Sequence, residues 1–280
     1  MYVCRFTGTE KTNQYEELIK VFLRPDEYLI SDDPEEVCAH TYGFTGDKDE
    51  LKRQLYRDLE SYTGKSPKWG ILTGIRPVKM AGEMLKAYGS TDEVRKILEK
   101  NYMIHPSKSS LVTEILGYQL EHAGRPEKKS LSVYIGIPFC PTRCLYCSFT
   151  SNQKPYGEIE RYLDALEDEI RFAAEAAARD GFSIESFYIG GGTPTTLDEK
   201  QLRRLLEVIR DSFDLSKNRE FTVEAGRPDT ITSDKLDIMR SYGVNRISIN
   251  PQTMKDDTLE IIGRRHTADD VRAAFGMAKS

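Results

Sequence analysis

Three cysteines stand within one short stretch, Ile137-Pro-Phe-Cys-Pro-Thr-Arg-Cys-Leu-Tyr-Cys147. Cys140, Cys144 and Cys147 have the spacing CxxxCxxC. Thiolates this close suit three corners of a cubic [4Fe–4S] cluster, whose usual protein ligands are cysteines. The fourth iron is then left for a small molecule, and an open metal position separates a reactive site from a structural one. Structural zinc is the competing reading, but it wants four ligands, often as two separated pairs. The other cysteines, Cys4 and Cys38, lie far upstream, and none of His40, His105, His122 and His266 stands beside the loop in sequence. Ligand count therefore favours the cluster.

The flanking residues extend the pattern. Tyr146 places an aromatic residue before the last cysteine. The runs Tyr134-Ile-Gly-Ile-Pro-Phe-Cys140, Gly190-Gly-Gly-Thr-Pro-Thr195, Arg246-Ile-Ser-Ile-Asn-Pro-Gln252 and Ile262-Gly-Arg-Arg-His-Thr267 occur in that order. With this set the chain resembles the radical S-adenosylmethionine (SAM) superfamily, whose signature is CxxxCxΦC with Φ aromatic. Within it the chain resembles the oxygen-independent coproporphyrinogen III oxidase (coproporphyrinogen dehydrogenase) family, in a subgroup with a long N-terminal extension. Four ordered motifs over residues 130–280 carry the resemblance.

The resemblance implies two cofactors, a [4Fe–4S] cluster and SAM bound to its free iron. One electron from the cluster then breaks a sulfonium C–S bond to give a 5′-deoxyadenosyl radical. It implies a porphyrinogen or haem-like tetrapyrrole as substrate, and an electron donor such as flavodoxin or ferredoxin. Two activities lie inside the family: oxidative decarboxylation of coproporphyrinogen III to protoporphyrinogen IX in haem biosynthesis, and haem carriage by a chaperone-like branch.

By the same resemblance, Tyr134 lies near SAM and the cluster, and Tyr146 shields the cluster beside adenine. Gly191, Gly192 and Thr193 contact SAM; the competing reading of the glycines is a tight turn. No Gly-Lys-Ser/Thr follows them, so they are not a phosphate-binding loop. Glu224 accepts hydrogen bonds from SAM's amino or ribose groups, Gln252 reaches the ribose, and Arg264 pairs with the methionine carboxylate. Arg227, Arg264 and Arg265 are the cations available to a tetracarboxylate substrate. No residue is assigned as a catalytic acid or base. The chain departs from the family pattern at three places. Gly136 stands where many relatives have His, Phe149 where the best-characterised oxidases have a further Cys, and Gly226-Arg227 where Glu-Ala-Asn-Pro is common. Upstream, Trp69-Gly-Ile-Leu-Thr-Gly-Ile-Arg-Pro-Val-Lys79 offers Arg76 and Lys79 to a carboxylate, or is simply a loop before a helix.

Elements must hold these residues. Residues 2–6 read as a strand, and 13–23, 47–62, 78–88, 92–100 and 107–122 as helices with apolar residues at helical spacing. Acidic residues 31–36 form a turn, and polar, turn-rich residues 124–130 form a linker. This gives a smaller α+β domain over 1–128, of no assigned role, and a core over 129–280. In the core, strands over 131–137, 186–189, 220–225 and 245–250 alternate with helices over 158–177, 198–213 and 233–242, and a last helix starts at Thr267. Thr196 or Asp198 caps the second core helix. Such β-α alternation means an α/β fold with a parallel sheet and a site at the strand C-terminal ends. Periodicity leaves open sheet and closed barrel undecided; the resemblance implies a partial (β/α)6-type radical SAM barrel. Four βα units precede Lys279-Ser280, so the expectation is a truncated barrel that holds a cluster but turns over poorly.

Composition sets outer bounds. The 280 residues are 39% hydrophobic and 30% charged, as in ordinary globular chains. A net charge of −5 gives no whole-chain attraction to nucleic acid or anionic membrane. No apolar run is long enough to span a bilayer. No signal peptide is visible at Met1-Tyr-Val-Cys-Arg-Phe, and five cysteines, three of them clustered, fit a reducing cytoplasm.

Overall fold

The computed structural model describes residues 1–9, 11–33, 35–124 and 127–279. Pro34 of the acidic turn, Arg125 and Pro126 of the expected linker, and the terminal Ser280 lie outside the described residues, as does Glu10. The chain divides into two compact units, Met1–Arg125 and Pro126–Ser280.

The first unit begins with β1 (Tyr2–Thr7), α1 (Asn13–Phe22), β2 (Tyr28–Ile30) and β3 (His40–Gly43). Four helices follow: α2 (Lys48–Thr63), α3 (Pro77–Tyr88), α4 (Thr91–Tyr102) and α5 (Pro106–His122). The strands form a parallel sheet in the order β2-β1-β3. Alternate residues of β1, Tyr2, Cys4 and Phe6, are buried against Leu18 and Ile19 of α1 and Leu55 and Leu59 of α2. β2 and β3 have three and four residues, too short for periodicity to mark. The Trp69–Lys79 stretch is a packed connection. Ile71 N–H donates to Tyr102 O at 3.0 Å. A Cβ on Gly70 would stand 2.0 Å from that same oxygen, so only glycine fits. Arg76 and Pro77 then open α3.

The second unit runs β4 (Ser130–Ile137), α6 (Tyr156–Arg179), β5 (Ser183–Gly191), α7 (Glu199–Ser212), β6 (Glu220–Glu224), α8 (Ser233–Ser241), β7 (Arg246–Ser248), α9 (Asp256–Ile261) and α10 (Ala268–Lys279). Its strands are parallel and lie in the order β4-β5-β6-β7. A doubly wound sheet reverses its order at a switch point; this consecutive order is the winding of a barrel wall. The core forms where Ile135, Ile137, Phe187, Ile189, Phe221 and Val223 of the strands meet the apolar stripes of α6 and α7. Those stripes are the residues at helical spacing, Ile159, Leu163, Leu166 and Ile170, then Leu202, Leu205, Leu206 and Ile209.

Asp198, rather than Thr196, caps α7, in a reciprocal capping box with Gln201. Thr196 instead ends a 3₁₀ turn, Pro194–Thr196, directly after the glycines. Thr267 N–H donates to the Asp270 carboxylate at 2.7 Å and Asp270 N–H to the Thr267 hydroxyl at 3.2 Å, which fixes the start of α10. β5 starts earlier than its apolar run, β7 is shorter than expected, and α9 was not foreseen. Among the described residues no helix is long and apolar enough to cross a membrane.

Candidate functional site

The cysteine loop leaves the end of β4 and is closed at its base. Asn152 N–H donates to Pro138 O at 2.8 Å, and Cys140 N–H to Asn152 O at 3.1 Å. Inside the lobe, Cys147 N–H donates to Cys144 O at 3.1 Å, a turn that draws the second and third cysteines together. Leu145 N–H donates to Ile262 O at 3.1 Å and ties the lobe to the end of α9.

β5 runs beside β4, with Gly190 paired to Gly136 and Gly191 to Ile137, so the glycines emerge against the cysteine loop. Gly192 N–H donates to Ile137 O at 2.8 Å, and Thr193 N–H to Phe139 O at 2.7 Å. The Thr193 hydroxyl lies 3.4 Å from Cys140 Sγ. A Cβ on Gly192 would stand 2.6 Å from Phe139 O and 3.1 Å from Cys140 Sγ. Gly191 has φ +110°, and its Cβ would stand 3.0 Å from Ile137 O. These glycines form a packing joint for the loop that carries the thiols, as well as part of a cavity wall.

That cavity has a volume of about 210 Å³. Cys140, Cys144, Cys147, Tyr146, Gly191, Gly192, Thr193, Glu224, Gln252 and Arg264 all line it. Tyr134 does not. It stacks on Tyr188, with ring centroids 5.9 Å apart, and lines an adjoining cavity of about 500 Å³ with Tyr162 and Pro138. The two cavities share Phe149, Gly191 and Glu224. Gly136, at a departure from the family pattern, accepts a 2.6 Å hydrogen bond on its carbonyl from Tyr162.

Glu224 is held from both sides. The Tyr188 hydroxyl donates to one oxygen at 2.6 Å and Gly191 N–H to the other at 3.2 Å. Gly190 leaves the room, since a Cβ there would stand 3.0 Å from the carboxylate. The bond to Glu224, then burial, push the Tyr188 phenol up to about 12. Gln252 sits at φ +59°, a left-handed backbone rare for a non-glycine, with its N–H 3.0 Å from Asn250 Oδ1. Arg264 donates from one terminal nitrogen to Gly226 O at 2.9 Å, while its Nε is buried without a partner. Burial pushes the Cys140 thiol up, against the opposing pull of Thr193 and Arg227. Burial likewise raises the Tyr146 phenol, with Arg264 opposing.

This lining suits a cluster with one open corner. It contains three cysteines, no histidine, and one carboxylate whose two oxygens are already engaged. Among the described residues no three His, Cys, Asp or Glu side chains gather to hold one metal ion; a cubane instead gives each thiolate its own iron. The unspent Nε–H of Arg264 suits a ligand carboxylate.

Arg227, expected as a cation for substrate, is instead buried and used internally. It grips Asp229 and the cysteine-loop residue Thr142. Arg265 is exposed. Tyr188, Thr142 and Asp229 were not singled out from sequence. Nothing local in the sequence marks Tyr188; its pairing with Tyr134 across β4 and β5 is set by strand register.

Residues 134–280 match the family described as the Radical SAM superfamily. The oxygen-independent coproporphyrinogen-III oxidase-like protein HemZ of Bacillus subtilis (strain 168) is 41% identical over 228 residues, which are 79% of this chain and 45% of that protein. The heme chaperone HemW of the same organism is 43% identical over 153 residues, 53% of this chain and 38% of that protein. Among solved structures, coproporphyrinogen III oxidase (HemN) from Escherichia coli matches with a TM-score of 0.50 and 29% identity, covering 59% of this chain and 37% of that one. The chain thus spans less than half the length of each of these relatives.

Proposed function

The chain belongs to the radical SAM superfamily, and we propose that it holds a [4Fe–4S] cluster on Cys140, Cys144 and Cys147 and cleaves SAM to decarboxylate coproporphyrinogen III oxidatively. The observation that supports this most is the lining of one cavity by three thiols, a fixed carboxylate and an arginine with an unspent donor. When bound, the cluster and SAM supply a 5′-deoxyadenosyl radical.

The chain's own residues bind and orient. Arg264 Nε–H donates to the methionine carboxylate in a charge-assisted bond. Glu224 keeps free lone pairs beyond the two bonds it accepts, and offers them to an ammonium or ribose hydroxyl. Gln252 serves the ribose, and Gly191 and Gly192 let the ligand approach the backbone. Tyr146 covers the cluster and excludes water. Tyr134, backed by Tyr188, gives the adjoining cavity an aromatic wall for a tetrapyrrole. Each reacting propionate gives a hydrogen atom to the deoxyadenosyl radical, then releases CO₂ and passes one electron to an external one-electron acceptor, which leaves a vinyl group of protoporphyrinogen IX. The electron for SAM cleavage comes from a small carrier such as flavodoxin or ferredoxin, in the reducing cytoplasm.

The relative named oxidase-like aligns over 79% of this chain, including much of the first unit, which supports the oxidase reading. A second reading, haem carriage, is favoured by the 43% identity to a heme chaperone and by Gly136 and Phe149 at the departures from the oxidase pattern. The test is 5′-deoxyadenosine and CO₂ release by the anaerobically reduced protein, with and without coproporphyrinogen III. Release of both that rises with the porphyrinogen supports decarboxylation. Stoichiometric haem binding with no such rise supports carriage.

A further inference from the structure

Arg227 is a cation only 2% exposed. A buried charge persists only when it is paired and hydrogen-bonded. Its Nε and one terminal nitrogen meet the two oxygens of Asp229 at 3.1 and 3.2 Å, a fork-to-fork pair. The other terminal nitrogen donates to the Thr142 hydroxyl at 2.9 Å. Thr142 lies between Cys140 and Cys144, and Arg227 itself lines the cavity of the thiols. The ion pair is therefore oriented: its positive end meets the cysteine loop. Asp229 is 32% exposed, so water screens the acid more than it screens the arginine. His266 is fully buried 3.9 Å from Asp229; burial lowers its pKa below the usual imidazole range, with Arg264 and Arg227 acting the same way against Pro251 and Asp229.

We propose that Arg227 is a positioning residue for the cysteine loop and the internal counter-charge of its cluster. The arginine staples Thr142, and its buried charge favours uptake of an electron by an assembly already made anionic by three thiolates. The potentials of such clusters follow net charge, nearby hydrogen bonds and burial, and groups beyond the direct ligands tune a metal site. The proposal rests on the cluster reading above. It gives a role to Gly226-Arg227, where the common family pattern has asparagine.

The test needs no turnover. Anaerobically reconstituted wild type, R227Q, R227K, D229N and T142V are compared by iron and sulfide content, by lifetime of the visible absorbance in excess chelator, and by dye-mediated redox titration read by electron paramagnetic resonance (EPR). R227Q is expected to shift the midpoint potential negative and D229N positive, with R227K close to wild type. R227Q and T142V are expected to lose the cluster on the order of tenfold faster, as befits loss of a hydrogen bond to a charged group, and T142V to leave the potential unchanged. An unmoved potential in both R227Q and D229N overturns the counter-charge. A wild-type lifetime in T142V overturns the staple. If R227Q holds no cluster, D229N decides: a positive shift supports the counter-charge, and a wild-type potential overturns it. Absence of a cluster in wild type would instead refute the cluster reading.

Discussion

The substitution Gly192→Ala tests whether the glycine joint is what holds the cysteine loop. The added Cβ would lie 2.6 Å from Phe139 O, 3.0 Å from Phe139 C and 3.1 Å from Cys140 Sγ. Two of these atoms are backbone, so no side chain can swing away. The ends of β4 and β5 must part, which strains the bonds from Gly192 N–H to Ile137 O and from Thr193 N–H to Phe139 O, at 2.8 and 2.7 Å. Overpacking costs about 1–3 kcal/mol, and two weakened hydrogen bonds add about 1–2 kcal/mol. A total of about 2–5 kcal/mol corresponds to a fall in Tm on the order of 5–15 °C for a unit of this size. Gly157→Ala is the control, because nothing lies within 4 Å of its Cβ and it sits in the first turn of α6. Thermal unfolding and iron content of the anaerobic protein are the assays. A Gly192→Ala protein with wild-type Tm and full iron would refute the joint.

Replacing Cys140, Cys144 or Cys147 singly with Ala is expected to abolish cluster assembly, with iron falling from about four per chain to near zero while far-UV circular dichroism is kept. Tyr188→Phe removes a 2.6 Å bond to Glu224 and should weaken SAM binding on the order of tenfold in anaerobic calorimetry, the usual effect of losing a bond to a charged group. Arg204 of α7 meets Glu160, Asp164 and Glu167 on one stripe of α6 while one-third exposed; Arg204→Ala should cost about 1 kcal/mol after solvent screening, and less in molar salt, in chemical denaturation. The backbone N–H and hydroxyl of Thr267 hold the Asp270 carboxyl below its usual 3.8. That stabilisation is complete above pH 3.8 and fades as pH falls through the lower folded value; Thr267→Val should raise the Asp270 pKa seen by carbon NMR, and an unchanged value would count against the cap.

The parts of the site legible in the sequence are those whose partners are near in the chain or fixed by strand ends. The three thiols share one loop, and the glycine run ends a strand beside it, so β-α alternation alone brings them together. Gln252 and Arg264 follow from motif position, and the cavity gathers them with Glu224. Non-local partners were hidden. Arg227 looks like any arginine in a polar loop, and only the fold brings Thr142 to it. Tyr188 alternates within β5 as a plain strand residue, and its link to Glu224 depends on sheet register. Tyr134 lines the adjoining cavity because its side chain stacks along the sheet on Tyr188. β2 and β3 escaped because three or four residues carry no readable period, and their parallel pairing to β1 is a matter of long-range docking.

The most direct measurement is EPR-detected hyperfine spectroscopy of the reduced protein, mixed with SAM labelled with oxygen-17 or nitrogen-15 at its methionine carboxylate and amino groups. Coupling of both labels to a [4Fe–4S] signal, lost when any of Cys140, Cys144 and Cys147 is replaced, is the predicted result. A cluster signal indifferent to labelled SAM, or zinc in place of iron in anaerobically purified protein, would contradict the account.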